Sequence, residues 1–305
     1  MISRRSLLLG AACSARAQQQ AAFSADVKVV SLLATAHDRD GRVVKDLNKE
    51  DFTLFEDGKP QTIRYFSRES DLPLTLGLLV DTSRSQIDVL ERERSASYTF
   101  LDQMLREKID QAFVASFDKQ VQVLQGMTSS RQELAAALSK LQIPGETATL
   151  IYEAVRQSSE NLMRKQKGRK AFILLTDGVS FRDKSDIGTA IEYAQRADTM
   201  IFAIRFFGRT PAYRPVRKAV FGIAEASGKH ALERMANETG GESLEVTNDK
   251  PIEAVFAQID ELLRNQYSIG FTPDRPDDHG GFHKIKLAAK DRTMTVRTRD
   301  GYYSQ

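Results

Sequence analysis

Cysteine is nearly missing from this chain: 305 residues contain one, Cys13. A single thiol leaves no disulfide framework and no cysteine cage for a metal. Net charge is nearly missing too, since 44 Lys and Arg against 41 Asp and Glu leave a formal +3. That balance, with no aromatic residues interleaved along a basic stripe, argues against nucleic acid as a partner. Histidine is scarce, at four residues (His37, His230, His279, His283). Each is read as a surface residue in a loop, turn or helix start, and none shows metal-ligand spacing or stands beside a nucleophile motif. No G-x-x-x-x-G-K phosphate loop occurs. What remains is 41% hydrophobic and 28% charged residues, enough for a packed core and too apolar for global disorder. The length alone predicts about two domains.

Residues 1–20 read as an export signal rather than as structure. Arg4 and Arg5 precede the short apolar run Leu7-Leu8-Leu9, and Ala15-Arg16-Ala17 offers an A-x-A cleavage site. The arginine pair resembles a twin-arginine signal, so an exported chain beginning near Gln18 is expected, in the periplasm or outside the cell. The apolar run is far shorter than the roughly 20 residues of a membrane span, so the mature chain is expected to have no transmembrane segment. Cleavage after Ala17 would also remove the only thiol. The other reading makes Gly10-Ala11-Ala12-Cys13 a lipoprotein box with Cys13 retained and acylated, although Gly10 stands where a larger aliphatic residue is usual.

From 21 to 70 the pattern is β-like. Strands are expected over 27–36, 42–44, 51–55 and 61–66, with turn chemistry at Asp38-Arg39-Asp40-Gly41 and a hairpin at Glu56-Asp57-Gly58-Lys59. Asp71-Leu72-Pro73 marks a boundary. Over 73–265, strands (74–80, 112–117, 121–124, 171–176, 199–206, 243–246) alternate with helices (87–108, 132–141, 150–165, 186–197, 230–238, 251–264), and 208–222 reads as a loop. That alternation predicts an α/β fold with a doubly wound, mostly parallel sheet. The tail, 266–305, returns to strands at 267–271, 282–288 and 294–299. Each β segment is too small to be stable alone. The two are therefore expected to pair into one small β domain with the α/β domain inserted between them.

The chemistry concentrates at strand ends. Leu74 to Val80 is a continuous apolar run, as suits a strand buried on both faces, and it leads straight into Asp81-x-Ser83-x-Ser85. Another buried strand ends at Thr176-Asp177-Gly178, and Thr147 and Thr149 stand at a helix start. The carboxyl edge of such a sheet is where α/β proteins bind ligands. In order and context these pieces resemble the von Willebrand factor type A domain and its metal-ion-dependent adhesion site, whose signature is D-x-S-x-S, a distant Thr and a distant Asp. The flanks D-F-T-L-F-E-D-G-K-P-Q-T-I-R-Y-F and N-Q-Y-S-I-G-F-T-P are similar to segments that border this domain in bacterial von Willebrand factor A-related proteins. Thr149 takes the threonine role because Leu150-Ile151-Tyr152-Glu153-Ala154 is similar to the family's T-x-L-Y-D-A. Thr147-Ala148 replaces the usual two glycines, so Thr147 is the alternative.

Three hydroxyls and two carboxylates suit a hard cation, Mg²⁺ before Mn²⁺ or Ca²⁺. The resemblance implies that Ser83, Ser85 and Thr149 touch the metal directly or through water, while Asp81 and Asp177 act largely through water and hydrogen bonds. Neutral hydroxyls leave the ion electrophilic, and an open position can take an Asp or Glu carboxylate from a protein partner. This is a mechanism for binding and adhesion rather than catalysis. The alternatives are a structural scaffold with a vestigial metal site and a metal-dependent hydrolase, for which no general base of the usual kinds is at hand. Arg84, between the serines, either points into solvent or clamps the incoming carboxylate.

Overall fold

The computed structural model describes residues 29–68, 72–144, 148–206, 215–274 and 280–304, with 215–224 described by their backbone alone. The expected export signal, Thr147 and His279 lie outside the described residues. The first strands are β1 (Val30–His37), β2 (Val43–Val44), β3 (Phe52–Glu56), β4 (Lys59–Gln61) and β5 (Tyr65–Ser67). Asp57 and Gly58, between β3 and β4, have φ of 48° and 78°. Two successive positive φ values are what a two-residue type I′ hairpin requires. The single strand expected over 61–66 is in fact two. Ile63 is buried at the break, where the chain leaves β3 and crosses to a different sheet.

Next come β6 (Leu74–Asp81), α1 (Leu90–Met104), β7 (Gln111–Phe117), β8 (Val121–Thr128), α2 (Arg131–Leu138) and α3 (Ile151–Asn161). They are followed by β9 (Arg169–Thr176), α4 (Ile187–Arg196), β10 (Met200–Arg205), α5 (Pro215–Thr239), β11 (Ser243–Glu245) and α6 (Ile252–Arg264). The strands order as β11-β10-β9-β6-β7-β8, parallel throughout except for the antiparallel edge strand β8. All eight residues of β6 are buried. Its even-numbered leucines pack with α1, α2 and α6 on one face, and Leu79 packs with α3, α4 and α5 on the other. Helices therefore cover both faces, as expected of a doubly wound sheet.

One expectation fails here. The stretch 208–222 reads as a loop, but the chain is helical from Pro215, and α5 continues for 25 residues. Proline is tolerated in a helix's first turn, where its missing N–H has no partner to lose. Absence of an apolar period excludes an amphipathic surface helix only; a segment rich in Ala, Glu, Lys and Arg retains its helical propensity.

The chain closes with β12 (Tyr267–Phe271), β13 (Phe282–Ala289), β14 (Thr295–Arg297) and β15 (Gly301–Tyr303). β12 inserts between β1 and β5, and β13 between β3 and β15, all antiparallel. Leu32, Phe52, Leu54, Tyr267, Ile269, Ile285 and Leu287 form a shared core from both ends of the sequence. The Tyr267 hydroxyl donates to the Val44 carbonyl at 2.8 Å and accepts the Leu47 N–H at 3.1 Å. The strands before and after the six-stranded sheet thus form two antiparallel sheets that share one core. The histidines do not follow the expected surface pattern: His37 ends β1 and is buried, and His283 lies in β13 against Asp57 at 2.9 Å. His230 is exposed but sits within α5. Among the described residues no helix is long and apolar enough to cross a membrane.

Candidate functional site

β6 lies between β7 and β9, with Asp81 opposite Phe117 and Val80 opposite Leu175. Parallel pairing in that register brings the ends of three strands out side by side. Asp81, the last residue of β6, is fully buried. Its Oδ1 accepts the Ser83 N–H at 2.8 Å, an Asx turn that bends the chain. Its Oδ2 accepts the Thr176 hydroxyl at 2.6 Å, joining the ends of β6 and β9. Burial, and then the nearby charge of Asp177, push the Asp81 carboxyl up to about 7, against these hydrogen bonds.

The Asx turn sets the serines. Ser83 Oγ and Ser85 Oγ share a hydrogen bond at 3.1 Å, the first residue buried and the second exposed, and Gln86 Nε2 donates to Ser85 Oγ at 3.2 Å. Two tight turns follow, Gln86 N–H to Ser83 O and Val89 N–H to Gln86 O, both 3.0 Å. They delay α1 to Leu90, three residues later than the sequence suggests. Ile87, expected on the helix's apolar face, is instead 64% exposed beside the serines. Arg84 is exposed.

Asp177 is partly buried, and its Oδ1 accepts the Val179 N–H at 2.9 Å. Gly178 has φ +86°, and a Cβ there would lie 2.6 Å from the Gly228 carbonyl oxygen of α5. Only glycine satisfies both demands. Arg205, buried at the end of β10, donates to the Asp177 carbonyl at 3.3 Å and the Glu225 carbonyl at 3.0 Å, fixing the loop against α5.

Thr149 is also buried, and it exchanges backbone hydrogen bonds with Phe181 at 2.9 and 3.1 Å. This small bridge ties its loop to the one after β9. Asp118, just beyond β7, ties it to the first loop: its carbonyl accepts the Leu150 N–H at 3.1 Å, and its Oδ2 accepts the Thr82 hydroxyl at 3.1 Å. No side chain of its own caps α3. Asp183 does so from the neighbouring loop, accepting the Tyr152 and Glu153 N–H groups at 2.8 and 3.2 Å. The three loops carrying Asp81, Ser83, Ser85, Thr149 and Asp177 are therefore cross-linked at one end of the sheet.

Several residues escaped the sequence reading. Thr176 stood inside a noted motif with no role given to it. Asp118 follows an apolar strand just as Asp81 does, a signal that was available. Asp183, Arg205 and the fully buried Glu93 of α1 carried no distinguishing signal.

The donor set fits a hard divalent ion. Among the described residues neither Asp81 nor Asp177 is in a salt bridge, which leaves both carboxylates without a cation of the chain's own. Adjacent oxygens of an octahedral Mg²⁺ shell with bonds near 2.1 Å lie about 3 Å apart, which the serine hydroxyls match. No three His, Cys, Asp or Glu side chains among the described residues form a metal cage, so hydroxyls would have to contribute.

A sequence model of the von Willebrand factor type A domain matches residues 76–258. No curated protein matches the sequence. Among solved structures, proximal thread matrix protein 1 from the mussel byssus, with a zinc-occupied MIDAS motif, superposes with TM-score 0.52 and 14% identity over 68% of this chain. This chain covers 49% of that one. The von Willebrand factor domain of the type V pili tip protein Mfa5 from Porphyromonas gingivalis gives 0.47 and 13%, covering 63% of this chain and 95% of that one.

Proposed function

The chain belongs to the von Willebrand factor type A domain family, and from that premise we propose that it is an exported, metal-dependent protein-binding module. Asp81, Ser83, Ser85, Thr149 and Asp177 would hold a divalent cation, with Mg²⁺ the first choice. A bound ion supplies a Lewis-acidic position open to a partner's Asp or Glu carboxylate. The observation that carries this reading is the pair of serine hydroxyls 3.1 Å apart, set by the Asx turn of the fully buried Asp81. The protein's residues then do the rest. Asp81 and Asp177 balance the ion's charge, the Asx turn and Thr176 fix Asp81, and Asp118 and Phe181 hold Thr149 in reach.

A protein partner suits the rim better than a small metabolite. Ile87 and Phe181 are 64% and 49% exposed, one in each of two site loops, and would give apolar contact around the carboxylate. The arginine-pair leader supports delivery to the periplasm or beyond.

Titration calorimetry tests the reading. Wild type should bind Mg²⁺, and Asp81→Ala should lose that binding while keeping its circular dichroism spectrum. A wild type that takes up no divalent cation at millimolar concentration would leave a structural scaffold as the better reading. A pull-down from periplasmic extract, with Mg²⁺ against chelator, should then recover a partner only with metal present.

A further inference from the structure

Glu93 lies one turn into α1 and is completely buried. Among the described residues neither carboxylate oxygen has a hydrogen-bond partner. Buried carboxylates are ordinarily paired or hydrogen-bonded, because desolvation without compensation is expensive, so an orphaned one calls for a cause. Packing is not the cause, since neighbouring buried positions of α1 are filled by Leu90, Ala96, Phe100 and Leu101. No cation answers it either: Glu93 is in no salt bridge among the described residues.

The charges it does feel are those of Asp81 and Asp177. Burial first, then these two acids, push its carboxyl well above the usual range. Gln86, seven residues earlier, is also fully buried; its Oε1 has no partner, while its Nε2 reaches Ser85 Oγ at 3.2 Å. Unsatisfied buried oxygens thus run from the D-x-S-x-S loop into α1.

Building on the metal-site reading above, we propose that Glu93 is a third acidic group of that site, left without a partner by the described residues and answered by the divalent cation. Because no three acidic side chains here form a direct cage, Glu93 acts on the ion through its charge rather than as a ligand. It would tighten metal retention beyond what two carboxylates provide. An added negative charge facing the ion from a buried position is expected to change its affinity by about tenfold.

The experiment compares wild type, Glu93→Gln and Glu93→Asp by Mg²⁺ calorimetry and by thermal melting of the metal-free proteins. Glutamine keeps the shape and removes the acid, so Mg²⁺ affinity should fall by about tenfold with no loss of metal-free melting temperature. Aspartate keeps the charge and should stay closer to wild type than glutamine does. Wild-type affinity in Glu93→Gln, or a lowered metal-free melting temperature in that variant, would overturn the proposal and leave Glu93 a structural residue. If wild type itself binds no Mg²⁺, the failure is that of the metal site as a whole.

Discussion

Asp110 and Asp81 sit at opposite ends of the same six-stranded sheet, and both are buried. Asp110 accepts four hydrogen bonds: from the Leu74 N–H at 2.9 Å, the Arg106 N–H at 3.0 Å, and Arg106 Nε and Nη2 at 2.9 Å each. Burial raises its pKa, but those bonds and the guanidinium more than offset this and hold it below the usual range. Close by, Arg169 reaches the Leu72 carbonyl at 3.1 Å and the Leu263 carbonyl at 2.5 Å. At the other end, burial raises Asp81 to about 7 and raises Glu93 as well, with Asp177 adding to both. One sheet thus has an end where buried charge is satisfied within the chain and an end where it is left over. The first is built for stability. The second holds buried acids that no basic side chain among the described residues pairs, the arrangement that the proposed cation would answer.

The largest test of this contrast is a pair of substitutions. Asp110→Ala strands Arg106 and two N–H groups, and should destabilise by about 3 kcal/mol, at the low end for a buried pair because Arg106 is partly exposed. Mg²⁺ affinity should not change. Asp81→Asn should do the reverse, losing Mg²⁺ while the metal-free protein stays within about 1 kcal/mol of wild type. Denaturant unfolding with calorimetry reads both, and an Asp81→Asn as destabilised as Asp110→Ala would erase the distinction between the ends.

A second test sharpens where the line falls, because Glu153 stands at the site end yet is satisfied. Arg156 holds it at 2.8 and 3.0 Å, with Ser185 and Gln157 also donating, and its pKa falls to about 2 from 4.5. A pKa lowered on folding gives stability that is present above the unfolded value near 4.5 and is lost as pH falls toward 2. Between those limits the protein should lose about 2 kcal/mol through this group, discounted for the partial exposure of Arg156. Glu153→Gln should flatten the acid limb of a stability–pH curve; an unchanged slope would remove Glu153 from the satisfied class.

Smaller still is Thr82→Val. It removes the hydroxyl that Asp118 accepts, at a cost of about 1 kcal/mol. With the Asp81 and Thr149 loops less firmly joined, Mg²⁺ affinity should drop a few-fold. Unchanged calorimetry would mean that the backbone bond from Leu150 to Asp118 is a sufficient clasp.

Much of this was readable beforehand, for reasons that are local. The run from Leu74 to Val80 is almost all apolar and short, which suits a strand covered on both faces. D-x-S-x-S at its end, and Thr176-Asp177-Gly178 at another strand's end, were placed by chain order alone. The pairing of the terminal β segments followed from their size, since neither could close a core by itself. Errors fell where neighbours rather than sequence decide. The break between β4 and β5 at Ile63 depends on which sheet offers a free edge. The early turns of α5 carry no apolar stripe to announce them.

Glu91 and Glu93 mark the limit most plainly. In Leu90-Glu91-Arg92-Glu93-Arg94 nothing in the local sequence separates the two acids. Glu91 is exposed and pairs with Arg94 at 2.7 Å, whereas Glu93, about 200° further round the helix, is turned wholly inward. The sequence by itself determined the sheet, its burial, and the acids and hydroxyls at its carboxyl edge, because apolar runs and Asx turns act over a few residues. Only the tertiary structure decided which acids are answered within the chain and which are not. That depends on how α1 is rotated against the sheet and on which cations reach each end, and neither is a property of any short stretch of sequence.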